Sequence, residues 1–240
     1  MRNYLKNEIA LINSKIKLLD KKVITIFFCI AILQTVSWYY SSRKFFNSSL
    51  YSYFLKSDNI DLYEFLYWFA SDTVVLLIIP ILIIKFFFKE KIYNYGINFK
   101  NFHTGFLLFI SSAFIILPLT YVISTMPEFR NYYPMFSGFN QNIKTFLLYE
   151  SFFLLFLFAW EFIWRGFMLF GLESKFGWYS IFIQMIPFVI LHNGKPILET
   201  FGAIVGGVFL GALALSTRSM VYGFFIHATV IIALDVYSIL

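Results

Sequence analysis

The chain has 240 residues, of which 60% are hydrophobic, 22% aromatic and only 13% charged, with a net charge of +6. Ordinary soluble domains are about half apolar and about a quarter charged. Together with a mean hydropathy of +0.74, this composition excludes a typical soluble globular protein. The excess of basic side chains indicates loops that face anionic lipid, and we expect no nucleic-acid partner.

Apolar blocks follow one another along the chain, each near the length of about 20 residues that a helix needs to cross a membrane. They lack the short alternating strands of an outer-membrane barrel. We therefore predict an all-α fold, a polytopic transmembrane bundle of about seven helices and at most eight. The predicted spans are 23–41, 64–88, 104–125, 144–170, 178–192, 200–216 and 221–240.

The first 22 residues are too long and too polar for the basic region of a cleavable signal, so we expect them to be retained. In a seven-span topology, most of the 19 Lys and Arg residues fall in segments on the same side of the membrane as the N-terminus. The positive-inside rule therefore places the N-terminus in the cytoplasm. Because no repeat or flexible linker divides the chain, we predict one continuous bundle. Residues 1–143 form its N-terminal helices and basic segment, and residues 144–240 form its second part.

The first part shows no polar cluster inside its spans, whereas the second part holds most of the intramembrane ionisable groups. Its first apolar run contains WEFIWRGFMLF at residues 160–170. A charge at the bilayer centre costs at least about 2.5 kcal/mol, so such groups usually face the bundle interior. Glu161 and Arg165 lie one turn apart on one helix face. They form either a structural ion pair or part of a functional cavity. In a further alternative, Arg165 extends to the cytoplasmic membrane interface. Glu150 is expected to be an interfacial carboxylate.

Two histidines follow on later helices: His192 ends the fifth span and His227 begins the seventh. A lone histidine in a helix is usually a packing residue, but a carboxylate and two imidazoles together are what the activation of water requires. They are also three zinc ligands with an open fourth position. His103 is expected to be merely solvated.

The sixth span contains two GxxxG spacings, which let helix backbones approach closely. Gly202 with Gly206 and Gly207 with Gly211 should therefore draw the neighbouring helices together. The preceding segment HNGKPILET contains Asn193, a candidate donor at the mouth of the site. It also contains Glu199, which either caps the sixth span or belongs to the site.

Three motifs lie in order on separate predicted helices: Glu161-x-x-x-Arg165-Gly166, Phe188-x-x-x-His192 and His227. This order resembles the CPBP intramembrane proteases, which include type II CAAX prenyl endopeptidases, Abi proteins and bacteriocin self-immunity proteins. The resemblance covers residues 144–240, which would then be the catalytic core. It implies a membrane peptidase in which a glutamate and a histidine activate water while the last histidine stabilises the oxyanion. Because the family has also been labelled a metalloprotease family, zinc bound by Glu161, His192 and His227 is an alternative.

Two residues depart from the family pattern. Trp160 occupies the position of its first Glu, and Ile231 that of its Asn or Asp. Neighbouring helix positions point about 100° apart, so Glu161 could replace the missing base only if the helix turns or the water moves. Glu199 or Asp235 could compensate.

The leading hypothesis is therefore an intramembrane endopeptidase in a bacterial plasma membrane. In it, Glu161 is the base or its electrostatic partner, Arg165 fixes Glu161, His192 holds water and His227 stabilises the oxyanion. Its partners would be membrane lipids and a peptide or membrane-protein substrate. The alternative is a catalytically inactive immunity or membrane-scaffold protein, and a small transporter is disfavoured because no internal repeat is evident.

Overall fold

The structure is a computed structural model that describes residues 1–239 except 56, 58, 137 and 139–141, with the side chains of residues 2, 3 and 5 left out. Leu240, the end of the last predicted span, and Lys56 lie outside the described residues. The described part of the chain is helical and contains no strand. Its helices are α1 Arg2–Lys17, α2 Lys21–Phe54, α3 Ile60–Phe88, α4 Phe102–Ser124, α5 Pro127–Tyr132, α6 Ile143–Phe176, α7 Tyr179–Ile190, α8 Ile197–Thr217 and α9 Val221–Tyr237.

Seven of these helices correspond to the seven predicted spans. Five (α2, α3, α4, α6 and α8) are long and apolar enough to cross a membrane, while α7 and α9 are apolar but shorter. The prediction of a polytopic helical bundle is thus confirmed. The short amphipathic helix α1 and the single-turn α5 were not predicted, because neither contains an apolar run.

The outer faces of the bundle are strongly apolar. On α4, Phe114 is 83% exposed and Ile115 is 68% exposed. Large apolar side chains facing outward along whole helices are expected where hydrocarbon, and not water, surrounds the protein. The several apolar helices therefore indicate an integral membrane protein.

Helix α6 changes its geometry within the sequence WEFIWRGFMLF. It is a regular α-helix from Ile143 to Glu161, capped by the side chain of Asn142, which accepts from the Thr145 backbone N–H. From Phe162 to Met168 it continues as a π-helix before the last α-helical turns. π-Helical segments are rare and occur often at functional sites. A Cβ at Gly166 would collide with the ring of Phe162, so this wider turn requires glycine there.

The helices of the two parts of the chain pack on one another. Helix α3 packs along α6, α4 along α9, and α7 along α8, while α9 also contacts α6. The two glycine pairs of α8 differ. A Cβ at Gly207 would lie 2.8 Å from Met185, and one at Gly211 would lie 3.0 Å from Gln184, both on α7, whereas Gly202 and Gly206 face open space. Close packing thus involves the second glycine pair and brings α8 against α7.

Candidate functional site

Glu161 lies at the centre of a buried network between α6 and α9. Its Oε1 accepts a hydrogen bond from Arg165 Nη1 at 3.1 Å, and His227 Nδ1 lies 2.7 Å from the same oxygen. Glu161 and Arg165 are both 0% exposed. The predicted ion pair is therefore present, and the alternative in which Arg165 reaches the membrane interface is wrong because the π-helical turn buries its side chain.

The contact with Glu161 determines the tautomer of His227. A carboxylate only accepts hydrogen bonds, so Nδ1 must carry the hydrogen and donate it. In the neutral imidazole, Nε2 then has a free lone pair. A buried carboxylate that orients a histidine in this way also stabilises the imidazolium that forms when Nε2 takes a proton.

His192 lies in the turn that follows α7, one turn after Phe188. Its Nδ1 is 2.7 Å from the Phe188 carbonyl oxygen, which can only accept, so His192 Nε2 is also left with a lone pair. The Thr200 hydroxyl donates to the His192 carbonyl at 2.9 Å and ties this turn to α8. These contacts fix the ring without using the nitrogen that could bind water.

The ring of Phe188 joins the three parts of the site. Its centroid is 4.5 Å from that of His192 and 6.3 Å from that of His227. The Arg165 guanidinium carbon lies 3.9 Å from the same centroid, a distance at which a cation and an aromatic face attract each other. The phenylalanine of the second motif thus packs against both histidines and the arginine.

A cavity of about 330 Å³ opens beside the histidines. His192 and His227 line it, together with Trp160 and Ile231, the two residues that depart from the family pattern. The same histidines and Ile231 also line a neighbouring cavity of about 490 Å³. Glu161 is buried behind His227, outside the side chains that line either cavity. The two histidines therefore face open space, and the Glu161 carboxylate does not.

The predicted accessory residues are placed differently from one another. Glu199 lines the larger cavity and is already paired. Tyr133 Oη donates to both of its carboxylate oxygens at 2.9 Å, and Lys195 Nζ lies 2.6 Å from Oε1. Burial and the Glu199 charge raise the pKa of Tyr133 well above its ordinary value, so this hydroxyl remains a donor. Asn193 is exposed in the turn after His192.

Asp235 lies further along α9 than His227 and is 0% exposed. Its carboxyl group lies close enough to that of Glu150 on α6 for the two to interact electrostatically. Glu150, which was expected at the membrane interface, is only 7% exposed. These two acids form a second buried pair on the α6–α9 interface, separate from the residues that line the cavities.

The predicted zinc ligands do not form a metal site. Among the described residues, no group of three His, Cys, Asp or Glu side chains is arranged to hold a metal ion. Glu161 lies outside both cavities that the histidines line, so its carboxylate does not share an open position with their Nε2 atoms. The donor set of Glu161, His192 and His227 therefore does not fit zinc.

The sequence reasoning missed Asp72, which lies on α3 and is only 3% exposed. Its Oδ2 accepts a hydrogen bond from Trp68 Nε1 at 2.8 Å, and it lines the same cavity as the two histidines. The first part, in which no polar cluster was expected inside the spans, thus contributes one buried acid to this cavity. An acid inside the apolar run WFASDTVVLL was the signal that could have found it.

Residues 140–232 match the family model Rce1-like, described as type II CAAX prenyl endopeptidase Rce1-like. This part of the chain is thus similar to that family. The match includes all three motifs and confirms the resemblance that they predicted. At the level of the family, it supports a CAAX-type intramembrane protease. Comparison with curated proteins and with solved structures found no match. Trp160 and Ile231 fall within the Rce1-like region, whereas Asp72 precedes it.

Proposed function

We propose that the protein is an intramembrane endopeptidase that hydrolyses a peptide bond with water activated by a histidine. The observation that carries this proposal is His227, which lines the cavity while its Nδ1 is held by the buried Glu161. This arrangement favours Glu161 as the electrostatic partner of the base over Glu161 as the base itself. It also changes the role of His227, which would accept the proton of the water instead of stabilising the oxyanion.

The reaction proceeds in two steps. His227 Nε2 takes a proton from a water molecule that His192 Nε2 holds by accepting its other hydrogen, and the water oxygen attacks the carbonyl carbon of the substrate. Glu161, held by Arg165, stabilises the resulting imidazolium. When the C–N bond breaks, His227 returns the proton to the leaving amine nitrogen. Neither step requires a carboxylate at position 160.

The substrate would be a peptide or a membrane-protein segment that enters the cavity from the bilayer. The name of the matched family points to a prenylated C-terminal segment as one such substrate. The charge distribution of the loops favours an N-terminus in the cytoplasm, and the family resemblance favours a bacterial plasma membrane.

An inactive immunity or scaffold protein is the second candidate. Trp160 and Ile231 favour it, since both line the cavity at positions where the family carries polar side chains. Such a protein would bind a membrane peptide beside the histidines without cleaving it.

The test is cleavage of a quenched membrane-peptide library by the purified protein in liposomes. The variants are His227→Ala, His192→Ala and His103→Ala, each with and without a zinc chelator. His103 is the matched control because it is exposed on α4. We expect His227→Ala to lower turnover by about 10²- to 10⁴-fold, the usual contribution of a general base. His103→Ala and the chelator should have no effect.

Absence of cleavage by the folded wild type would refute the peptidase and favour the binding protein. Equal turnover by wild type and His227→Ala would contradict the proposed base. Loss of activity with the chelator would contradict a mechanism without metal.

A further inference from the structure

We propose that Asp72 forms a subsite for the side chain of an arginine in the substrate, within the cavity that the histidines also line. This inference rests on the proposed peptidase, whose specificity it would explain. It is carried by the burial of Asp72, by the pairing of the charges around it and by the aromatic wall of the cavity.

Asp72 is a buried acid that lines the cavity. Its carboxyl group accepts from Trp68 through Oδ2, and the hydroxyls of Ser37 and Ser41 also interact with it. These donors are neutral. A buried carboxylate without a positive partner costs free energy unless an occupant of the cavity supplies the opposite charge.

The basic residues of the same cavity do not compensate Asp72. Arg43 Nε lies 2.6 Å from Glu64 Oε1, and Lys195 Nζ lies 2.6 Å from Glu199 Oε1. Lys44, the remaining basic lining residue, is exposed at the rim. None of the ion pairs within the described part of the chain includes Asp72. The interior of the cavity thus has one acid whose natural complement is a cation from outside the protein.

A row of aromatic rings connects the two ends of the cavity. Ring centroids are 5.4 Å apart from Trp68 to Phe156, 6.0 Å from Phe156 to Trp160 and 6.2 Å from Trp160 to His192. Trp68, which binds Asp72, and His192 therefore lie at the two ends of this row of rings. Asp72 is placed to bind a side chain of the substrate.

Arginine fits this space better than other side chains. Its guanidinium is planar, so it can stack on aromatic faces while donating hydrogen bonds to a carboxylate. Its long apolar stem suits a wall of rings. Trp160, at the position where the family carries its first Glu, lies in the middle of this wall. On this proposal, Trp160, which stands where the family carries a carboxylate, helps to form the wall of the subsite.

The experiment uses quenched membrane peptides that carry one arginine at each position in turn, each paired with the same peptide containing citrulline. Citrulline keeps the shape of arginine and removes its charge. Wild type, Asp72→Asn and Asp61→Asn are compared in liposomes. Asp61 is the matched control because it is exposed on the same helix. At one position we expect wild type to prefer arginine by about 10-fold or more in kcat/KM.

Asp72→Asn should abolish that preference through KM, while cleavage of the citrulline peptide persists, and Asp61→Asn should retain it. Asp72→Glu keeps the charge and should restore part of the preference, which separates recognition from misfolding. An undiminished preference in folded Asp72→Asn, or cleavage by wild type without any preference for arginine, would overturn the subsite and leave the peptidase intact.

Binding of the same peptides to His227→Ala, followed by tryptophan fluorescence, distinguishes the two proposals. In one outcome, wild type cleaves nothing, yet His227→Ala binds the arginine peptide more tightly than the citrulline peptide. If Asp72→Asn removes this difference in binding, the subsite stands and the peptidase fails. Equal binding of both peptides refutes the subsite.

Discussion

The interface between α6 and α9 buries two pairs of ionisable side chains of different composition. Near its middle, Glu161 contacts the opposite charge of Arg165 and the imidazole of His227. Further along, Glu150 faces another acid, Asp235. Opposite charges compensate each other in an apolar interior, whereas two adjacent carboxyl groups cannot both ionise without repulsion and can instead share a proton.

The difference indicates different roles. The first pair holds a histidine that lines a cavity, and its charges are fixed by hydrogen bonds, which suits a group that must orient a base. The second pair lies away from both cavities and joins two helices. The two pairs should therefore respond differently when one carboxylate is replaced by an amide.

The largest effect is expected for Glu161→Gln. The glutamine oxygen could still accept from Arg165 and His227, but a neutral amide would hold the imidazole less strongly and would not stabilise the imidazolium that forms when Nε2 takes a proton. Turnover should fall by about 10²- to 10⁴-fold with little change in KM. The measurement is peptide cleavage in liposomes, with Glu173→Gln, on the last turns of the same helix, as control. Full activity in Glu161→Gln would show that Glu161 does not orient His227.

Arg165→Met tests the compensation of charge in the first pair. It would leave Glu161 as a buried carboxylate without its cation, which typically costs about 3 to 5 kcal/mol. Thermal unfolding in detergent should show this loss, while Lys175→Met, an exposed residue of α6, should unfold like wild type. Unchanged stability of Arg165→Met would mean that Glu161 does not need a positive partner.

Tyr133→Phe tests the residues beside the second pair, since burial, the Glu199 charge and, more weakly, Asp235 raise the pKa of Tyr133. Loss of its hydrogen bonds to Glu199 should cost about 1 to 3 kcal/mol. A tyrosine whose folded pKa is raised stays protonated in both states below its ordinary pKa of about 10. The cost should therefore be constant from about pH 6 to 9.

Unfolding measurements of Tyr133→Phe across this range check the expectation, with the exposed Tyr179 replaced in the same way as control. A cost that disappears on raising the pH within the range would contradict a tyrosine that stays protonated.

Glu150→Gln should have the smallest effect. The amide keeps the shape of the side chain and can donate to Asp235, much as a protonated carboxyl group does, so the free energy of unfolding should change by no more than about 1 kcal/mol. Cleavage should be unaffected. A loss of activity comparable to that of Glu161→Gln would show that the two pairs act as one unit, and the distinction between them would fail.

The sequence alone determined the membrane bundle and the identity of several site residues. Apolar run length sets the number of spans because each helix must cross the same thickness of hydrocarbon. The pairing of Glu161 with Arg165 was also predictable, since residues four apart on a helix are neighbours. The histidines could be chosen because polar groups in apolar runs are costly and few.

Only the tertiary structure decided which groups meet. Asp72 shares a cavity with His192, Glu150 faces Asp235, and Glu161 lies behind His227 because helices distant in sequence pack at particular rotations. Hydrophobic periodicity does not specify these rotations when a helix is apolar on every side. The π-helical turn after Glu161 likewise changes the direction in which the following side chains point. A regular helical pattern could not have predicted that change, because it assumes a constant angle per residue.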